Sequence, residues 1–161
     1  MGGAGGGATT YAMTPVAFVR GGRTDPVDDH WGEVVAEIVL ADGFDAGSLA
    51  GLEQFSHLEV VYVFDRVDEA KVTVDARHPR GRTDWPKVGI FAQRAKGRPN
   101  RIGVTTCEIV AVEERYVTVR GLDAIDGTPV LDLKPYLTEF APRSPVRQPA
   151  WSSELMQDYW D

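Results

Sequence analysis

The run RIGVTTCEIVAVEERYVTVRGLDAI, residues 101–125, constrains the fold more than any other stretch of the chain. Two alternating, β-branched segments flank the polar trio Glu113-Glu114-Arg115, the pattern of two antiparallel strands joined by a short turn. Similar segments recur: PVAFVR (15–20), GEVVAEIVL (32–40), HLEVVYVFDR (57–66), KVTVDAR (71–77), VGIFAQ (88–93) and LDLKPYL (131–137) all read as extended. HLEVVYVFDR is unbroken in its apolar residues, which predicts a strand buried on both faces. Around Leu49 to Leu52 a helical turn is bracketed by glycines. After Pro149, Leu155 and Tyr159 lie four apart, as do Met156 and Trp160, which predicts a short helix with Ser152 at its cap and Glu154 in its first turn. Short strands with no amphipathic helices between them exclude a doubly wound nucleotide-binding sheet. The expectation is an all-β chain: a small coiled antiparallel sheet or β-barrel with a short C-terminal helix.

A length of 161 residues suits one core, assigned to residues 15–161, behind a glycine-rich tail at 1–14 expected to be flexible. No apolar run approaches the ~20 residues of a membrane span, and the start lacks the basic and apolar regions of a secretion signal, so a cytoplasmic protein is expected. The single cysteine, Cys107, excludes an internal disulfide and a cysteine-built zinc site. Within an apolar strand it is expected to be a buried, inert thiol. His30, His57 and His78 are too scattered for a metal triad, DAIDGTPVLD lacks the alternating oxygens of a calcium loop, and no metal is expected. No nucleophile elbow of the Gly-x-Ser-x-Gly type is present.

The formal charge is −7, from 17 Lys and Arg against 24 Asp and Glu, which argues against nucleic-acid binding by the whole surface. Its distribution is uneven. Between Arg77 and Arg101 stand eight cationic residues and one acid, Asp84. Within that region FAQRAKGRPNRIG (91–103) combines Arg94, Lys96, Arg98 and Arg101 with Pro99, Asn100, Gly97 and Gly103. Proline stiffens such a loop, glycine permits close approach or positive φ, and asparagine donates and accepts. The loop suits a carboxylate, a phosphate or a purine edge, and it has no P-loop pattern.

Two other stretches carry chemistry. FSH (55–57) sets His57 at a strand start, and LDAIDGTPVLDLKPY (122–136) contains Asp123, Asp126, Asp132 and Lys134. Turn chemistry accounts for Asp126-Gly127 and Thr128-Pro129. It accounts less well for Asp132 and Lys134, which stand two apart in an extended run and project to one face, with Tyr136 continuing it. From the residues alone, the chain is a small β-rich domain that binds a charged small molecule.

Three blocks, FSHLEVVYVFDR, GIFAQRAKGRPNRIGVTTCEI and VRGLDAIDGTPVLDLKPYL, together resemble the TsaA-like (YaeB-like) family, which includes tRNA methyltransferases of the TrmO type. The resemblance runs from Pro15 through nearly the whole chain. The family pattern FATRS-x-x-RPN-x-IG is matched at Phe91, Ala92, Arg94, Arg98, Pro99, Asn100, Ile102 and Gly103, while Gln93 and Ala95 replace threonine and serine. LD-x-x-DGTP-x-LD-x-KPY is complete, from Leu122 to Tyr136.

The resemblance implies a barrel-like homodimer that binds S-adenosylmethionine near the subunit boundary and methylates N6 of threonylcarbamoyladenosine beside a tRNA anticodon. Its implied cofactor residues are His57, Phe91, Ala92, Arg94, Arg98, Pro99, Asn100, Gly103, Asp126, Gly127, Thr128 and Tyr136. Arg94 and Arg98 suit the donor's carboxylate, and the backbone from Asn100 to Gly103 suits its adenine. For catalysis the residues implied are Asp132 as proton acceptor, Lys134 as its partner, and Asn100. A basic face of Arg77, Arg80, Arg82 and Arg101 is expected to meet tRNA. A small-molecule acceptor, or a regulatory module that binds S-adenosylmethionine without turnover, are the alternatives.

Overall fold

The computed structural model describes residues 7–161. Among the described residues eight strands form: β1 (Ala17–Arg20), β2 (Val35–Leu40), β3 (His57–Val63), β4 (Ala76–Arg77), β5 (Val88–Gly89), β6 (Ile102–Val112), β7 (Tyr116–Arg120) and β8 (Pro129–Pro135), followed by one α-helix, α1 (Ala150–Leu155). Six of the strands close into an antiparallel barrel in the order β1-β2-β7-β6-β3-β8. Period-two alternation produces this: along each strand one residue in two faces inward, and six strands enclose a lumen that side chains fill. Leu58, Val60 and Tyr62 of β3 are almost wholly buried, as are Ile38, Val117 and Val130 from neighbouring strands. Closure also removes the unpaired sheet edges that an open six-stranded sheet would expose.

The β6–β7 hairpin forms as the spacing predicts, with a bulge between Ile109 and Ala111. Three expectations are corrected. β3 is buried on one face only, its residues alternating between buried and half-exposed, because an antiparallel barrel turns its other face outward. KVTVDAR is not a strand over its length: only Ala76–Arg77 pairs, with β5 in a separate two-stranded ribbon, and Val74 is 79% exposed because no neighbouring strand covers it. α1 starts at Ala150, capped by Pro149, while Ser152 lies inside it and donates its hydroxyl to the Pro149 carbonyl at 2.7 Å. Tyr159 falls beyond the helix in a turn, and Trp160 follows that turn. Of the expected tail, residues 1–6 lie outside the described residues, and 7–14 carry no regular structure. Among the described residues no helix is long and apolar enough to cross a membrane.

Candidate active site

At the end of the barrel where β3 finishes and β6 begins lies a cavity of about 630 Å³, a size typical of small-molecule sites. Its floor is built around a close backbone approach. An added Cβ at Gly103 would stand 2.6 Å from the Tyr62 ring, so only glycine lets that ring lie across β6. Tyr62 pairs with Gly103 across the ladder and stacks edge-on against Phe64, with centroids 5.2 Å apart. Its phenol then reaches one carboxylate. Asp123 Oδ1 accepts from the Tyr62 hydroxyl at 3.1 Å and from the Thr105 hydroxyl, and Asp123 Oδ2 accepts from the Tyr159 hydroxyl. Burial, and next to it the Asp123 charge, hold both phenols well above the ordinary tyrosine value, so they stay protonated donors.

The cationic loop forms the opposite wall. Arg94 donates to the Val104 carbonyl at 2.7 Å, and Arg98 donates to the carbonyls of Gln93 at 2.6 Å and Ala95 at 3.4 Å. Those bonds fold the loop on itself and use only part of each guanidinium's five donors, leaving charge at the cavity. Gly97 sits where a Cβ would meet the Lys71 carbonyl at 2.8 Å, so close approach, not positive φ, accounts for both glycines of the loop. The left-handed backbone falls instead on Asn100 (φ 63°) and Arg101 (φ 50°). Lys96 reaches across to the Pro26 carbonyl at 3.1 Å. Trp151, Leu155 and Tyr159, from the C-terminal segment, complete the enclosure.

Of the residues expected at the site, Phe91, Arg94, Arg98, Gly103 and Thr128 line this cavity. Ala92, Pro99 and Asn100 belong to the loop but not to the cavity wall, and Asp126 and Gly127 belong to the turn before β8. Asp126 accepts the Gly21 N–H at 2.8 Å and Gly127 donates to the Val19 carbonyl at 2.7 Å, so this turn staples the end of β1 instead of merely bonding its own backbone. His57 stands five residues before Tyr62 on β3, about 17 Å along the strand, and its carbonyl accepts the Tyr136 N–H at 3.0 Å. Asp132 and Lys134 project together from the outer face of β8 with Nζ and Oδ2 3.5 Å apart, both about half exposed. Asp132 borders a second, largely apolar cavity of about 460 Å³ beside Leu58 and Phe55. The structure therefore gathers the loop, Tyr62 and Asp123 at one end, and His57, Tyr136 and the Asp132–Lys134 pair elsewhere.

The basic residues expected to form one face are largely engaged. Arg80 pairs with Asp29 at 2.9 Å, Arg82 pairs with Asp84 and stacks 3.9 Å over Trp85, and Arg101 donates to the Val67 carbonyl at 2.8 Å. Cys107 is buried as expected, its thiol pushed up to about 12 by burial and by the Asp123 charge, which removes it as a nucleophile. Among the described residues no three His, Cys, Asp or Glu side chains converge to hold a metal ion.

Tyr62, Thr105 and Tyr159 were not singled out as site residues by sequence reasoning, and Asp123 was named in the 122–136 stretch without a role at the site. A large aromatic alternating inward on β3 was a weak signal for Tyr62. Asp123 was masked by the turn residues beside it, and nothing local marks Tyr159.

The comparisons with known proteins bear on the family and the fold. Residues 26–148 match the family model described as the tRNA-methyltransferase O N-terminal domain. The chain belongs to this family. It is 39% identical over 102 residues to the tRNA (adenine(37)-N6)-methyltransferase of Homo sapiens, covering 63% of this chain and 23% of that one. It is 37% identical over 114 residues to an S-adenosyl-L-methionine-binding protein of Archaeoglobus fulgidus, covering 71% of this chain and 78% of that one. In structure it matches TrmO from Pseudomonas aeruginosa with a TM-score of 0.72 at 25% identity, covering 89% of this chain and 62% of that one. Another TrmO crystal structure matches at 0.71 with 27% identity, covering 87% and 64%. The chain thus spans less than a quarter of the human relative and under two thirds of these TrmO chains. The stretch shared with the TrmO family model ends before α1, so Trp151, Leu155 and Tyr159 lie outside it.

Proposed function

We propose that this chain is an S-adenosylmethionine-dependent methyltransferase acting on N6 of threonylcarbamoyladenosine beside a tRNA anticodon, as a homodimer. The observation that carries the proposal is one cavity with guanidinium groups on one wall and a single hydroxyl-held carboxylate, Asp123, on its floor. The donor set fits a zwitterionic ligand of that kind. Arg94 and Arg98 offer bidentate donors to its carboxylate, Asp123 offers a negative charge to its cationic part, and Phe91 and Trp151 offer flat apolar surface. When bound, S-adenosylmethionine supplies an electrophilic methyl group.

The protein's share of such a reaction is alignment and proton removal. A carbamoylated N6 is a weak nucleophile until it loses its proton. Asp123 is the carboxylate at the cavity suited to accept that proton, and the hydroxyls of Tyr62, Thr105 and Tyr159 fix both its oxygens in place. The Asp132–Lys134 pair, with His57, Tyr136 and Asn100, enters the same proposal only if a partner subunit brings it to the cavity. Arg82 and Lys87, on the exposed side of the basic region, are the residues proposed to meet tRNA phosphates.

Purified protein, methyl-labelled S-adenosylmethionine and tRNA lacking this methyl group test the proposal through nucleoside mass spectrometry. Label in methylated threonylcarbamoyladenosine is expected, and no label on any tRNA nucleoside overturns it. Asp123→Asn is expected to lower turnover by about 10²- to 10⁴-fold while calorimetric binding of S-adenosylhomocysteine is retained. The same loss in Asp132→Asn, with Asp123→Asn active, moves the acceptor role to the Asp132–Lys134 pair. One finding favours a second reading: the Archaeoglobus relative, spanned over 78% of its length, is named for binding alone. Binding without turnover on tRNA or small acceptors is its signature.

A further inference from the structure

The chain leaves the barrel at Pro135, beside the second cavity, and residues 136–149 carry it back to the first. The latter part of that return is barely attached. Every residue from Pro142 to Ala150 is exposed, the prolines among them offer no N–H, and among the described residues no hydrogen bond ties 142–149 to the barrel. Residues 150–161 contain no buried side chain either, so hydrogen bonds hold them in place. The Trp85 indole donates to Glu154, the N–H groups of His30 and Trp31 donate to the Asp158 and Tyr159 carbonyls, and the Tyr159 hydroxyl donates to Asp123. His30, which receives the segment, takes a left-handed φ of 68° that residues other than glycine seldom adopt.

Asp123 divides its oxygens between barrel and segment. Its Oδ1 accepts from Tyr62 on β3 and Thr105 on β6, whereas Oδ2 accepts, among the described residues, from Tyr159 alone. We infer that residues 150–161 are a strap that competes with the acceptor base for Asp123. Docked, it lays the Tyr159 phenol on Oδ2 and lines the cavity with Trp151 and Leu155. Released, it opens that oxygen to the N6 proton, while Tyr62 and Thr105 still hold Oδ1. An acceptor that binds only the released form has its affinity reduced by the fraction of chains released. The segment begins after the stretch matched to the family model, so the strap goes beyond what that match shows. The inference rests on the reading of Asp123 as proton acceptor given above.

Amide exchange on the full chain, with S-adenosylhomocysteine and an anticodon stem-loop carrying threonylcarbamoyladenosine, tests it at the His30 and Trp31 N–H groups. Adding the stem-loop is expected to speed their exchange about tenfold, because both lose their carbonyl partners. Glu154→Ala, made on an exposed side chain outside the cavity wall, is expected to tighten stem-loop binding in calorimetry about tenfold, the worth of one hydrogen bond to a charged group. Should the Trp85 indole left behind disturb the fold, Tyr159→Phe removes only the phenol's bond and is expected to shift binding the same way. Exchange that is unchanged or slower with the stem-loop bound, or binding that tightens in neither variant, means that the segment stays in place over the acceptor and overturns this inference alone. Failure of wild type and both variants to bind the stem-loop overturns the proposed function with it.

Discussion

At the scale of single residues, two positions govern the site, Gly103 by its shape and Asp123 by its charge. Gly103 holds Tyr62 across β6, and Gly103→Ala forces the ring or the strand to move. A cost of about 1–3 kcal/mol is expected, as for overpacking elsewhere, read as a lowered denaturation midpoint with S-adenosylhomocysteine affinity falling alongside it. Burial, with the Asp123 charge next to it, sets the pH behaviour. Tyr62, Tyr159 and Cys107 all have folded values above their ordinary ones, so each binds its proton more tightly when folded. Their contribution is complete below the ordinary values of 9.0 for the thiol and 10.0 for the phenols, and is lost as pH rises above them. Thermal stability is therefore expected to decline from about pH 9 upward. A pH series of melting curves checks this, and Tyr159→Phe should flatten the decline. An unchanged slope would remove Tyr159 from the account.

At the scale of elements, the C-terminal segment is held by several separate contacts, not by its helix alone. The Trp31 N–H donates to the Tyr159 carbonyl at 2.8 Å, the His30 N–H to the Asp158 carbonyl at 3.0 Å, and the Trp85 indole to Glu154 at 2.8 Å. Gly32 admits the chain: an added Cβ would stand 1.9 Å from the Trp160 carbonyl oxygen. Gly32→Val is expected to detach residues 156–161 and withdraw Tyr159 from Asp123, while the six-stranded barrel keeps its own contacts. Amide exchange at 150–161 rising toward that of exposed loops, with barrel amides still protected, is the expected signature. Equal protection in both would mean the segment accommodates the side chain. The helical stripe anticipated from Leu155, Tyr159, Met156 and Trp160 fails here for a physical reason. Past Leu155 the backbone turns so that the 158–161 stretch can bond to the 30–32 loop, and those long-range bonds outweigh the local periodicity.

Across the whole molecule, charge is segregated. A net −7 coexists with eight cations between positions 77 and 101, so a polyanion is repelled by most of the surface and met by one region. For tRNA binding this predicts a steep salt dependence, about a hundredfold loss over a fourfold rise in salt if roughly four phosphates are contacted. Arg82→Ala should reduce the logarithmic slope by about one. Filter binding across a salt series measures both, and a flat response would favour a small-molecule acceptor. Sedimentation at a mass twice the 17.6 kDa of one chain is expected for the proposed homodimer.

The sequence by itself determined the strand-rich class, the β6–β7 hairpin, the buried thiol and the cationic loop, because period-two alternation, turn residues and charge are local properties that survive any packing. The family patterns around Arg94, Arg98 and Gly103 were legible for the same reason, as contiguous residues. What only the tertiary structure decided is convergence. Asp123 meets Tyr62 from 61 residues away, Thr105 from 18 and Tyr159 from 36, contacts that exist because barrel closure and the C-terminal crossing bring those backbones together. The same closure set Asp132 and Lys134 on the outer face of β8, away from the cavity, a separation that their two-residue spacing leaves open until the neighbours of β8 are known.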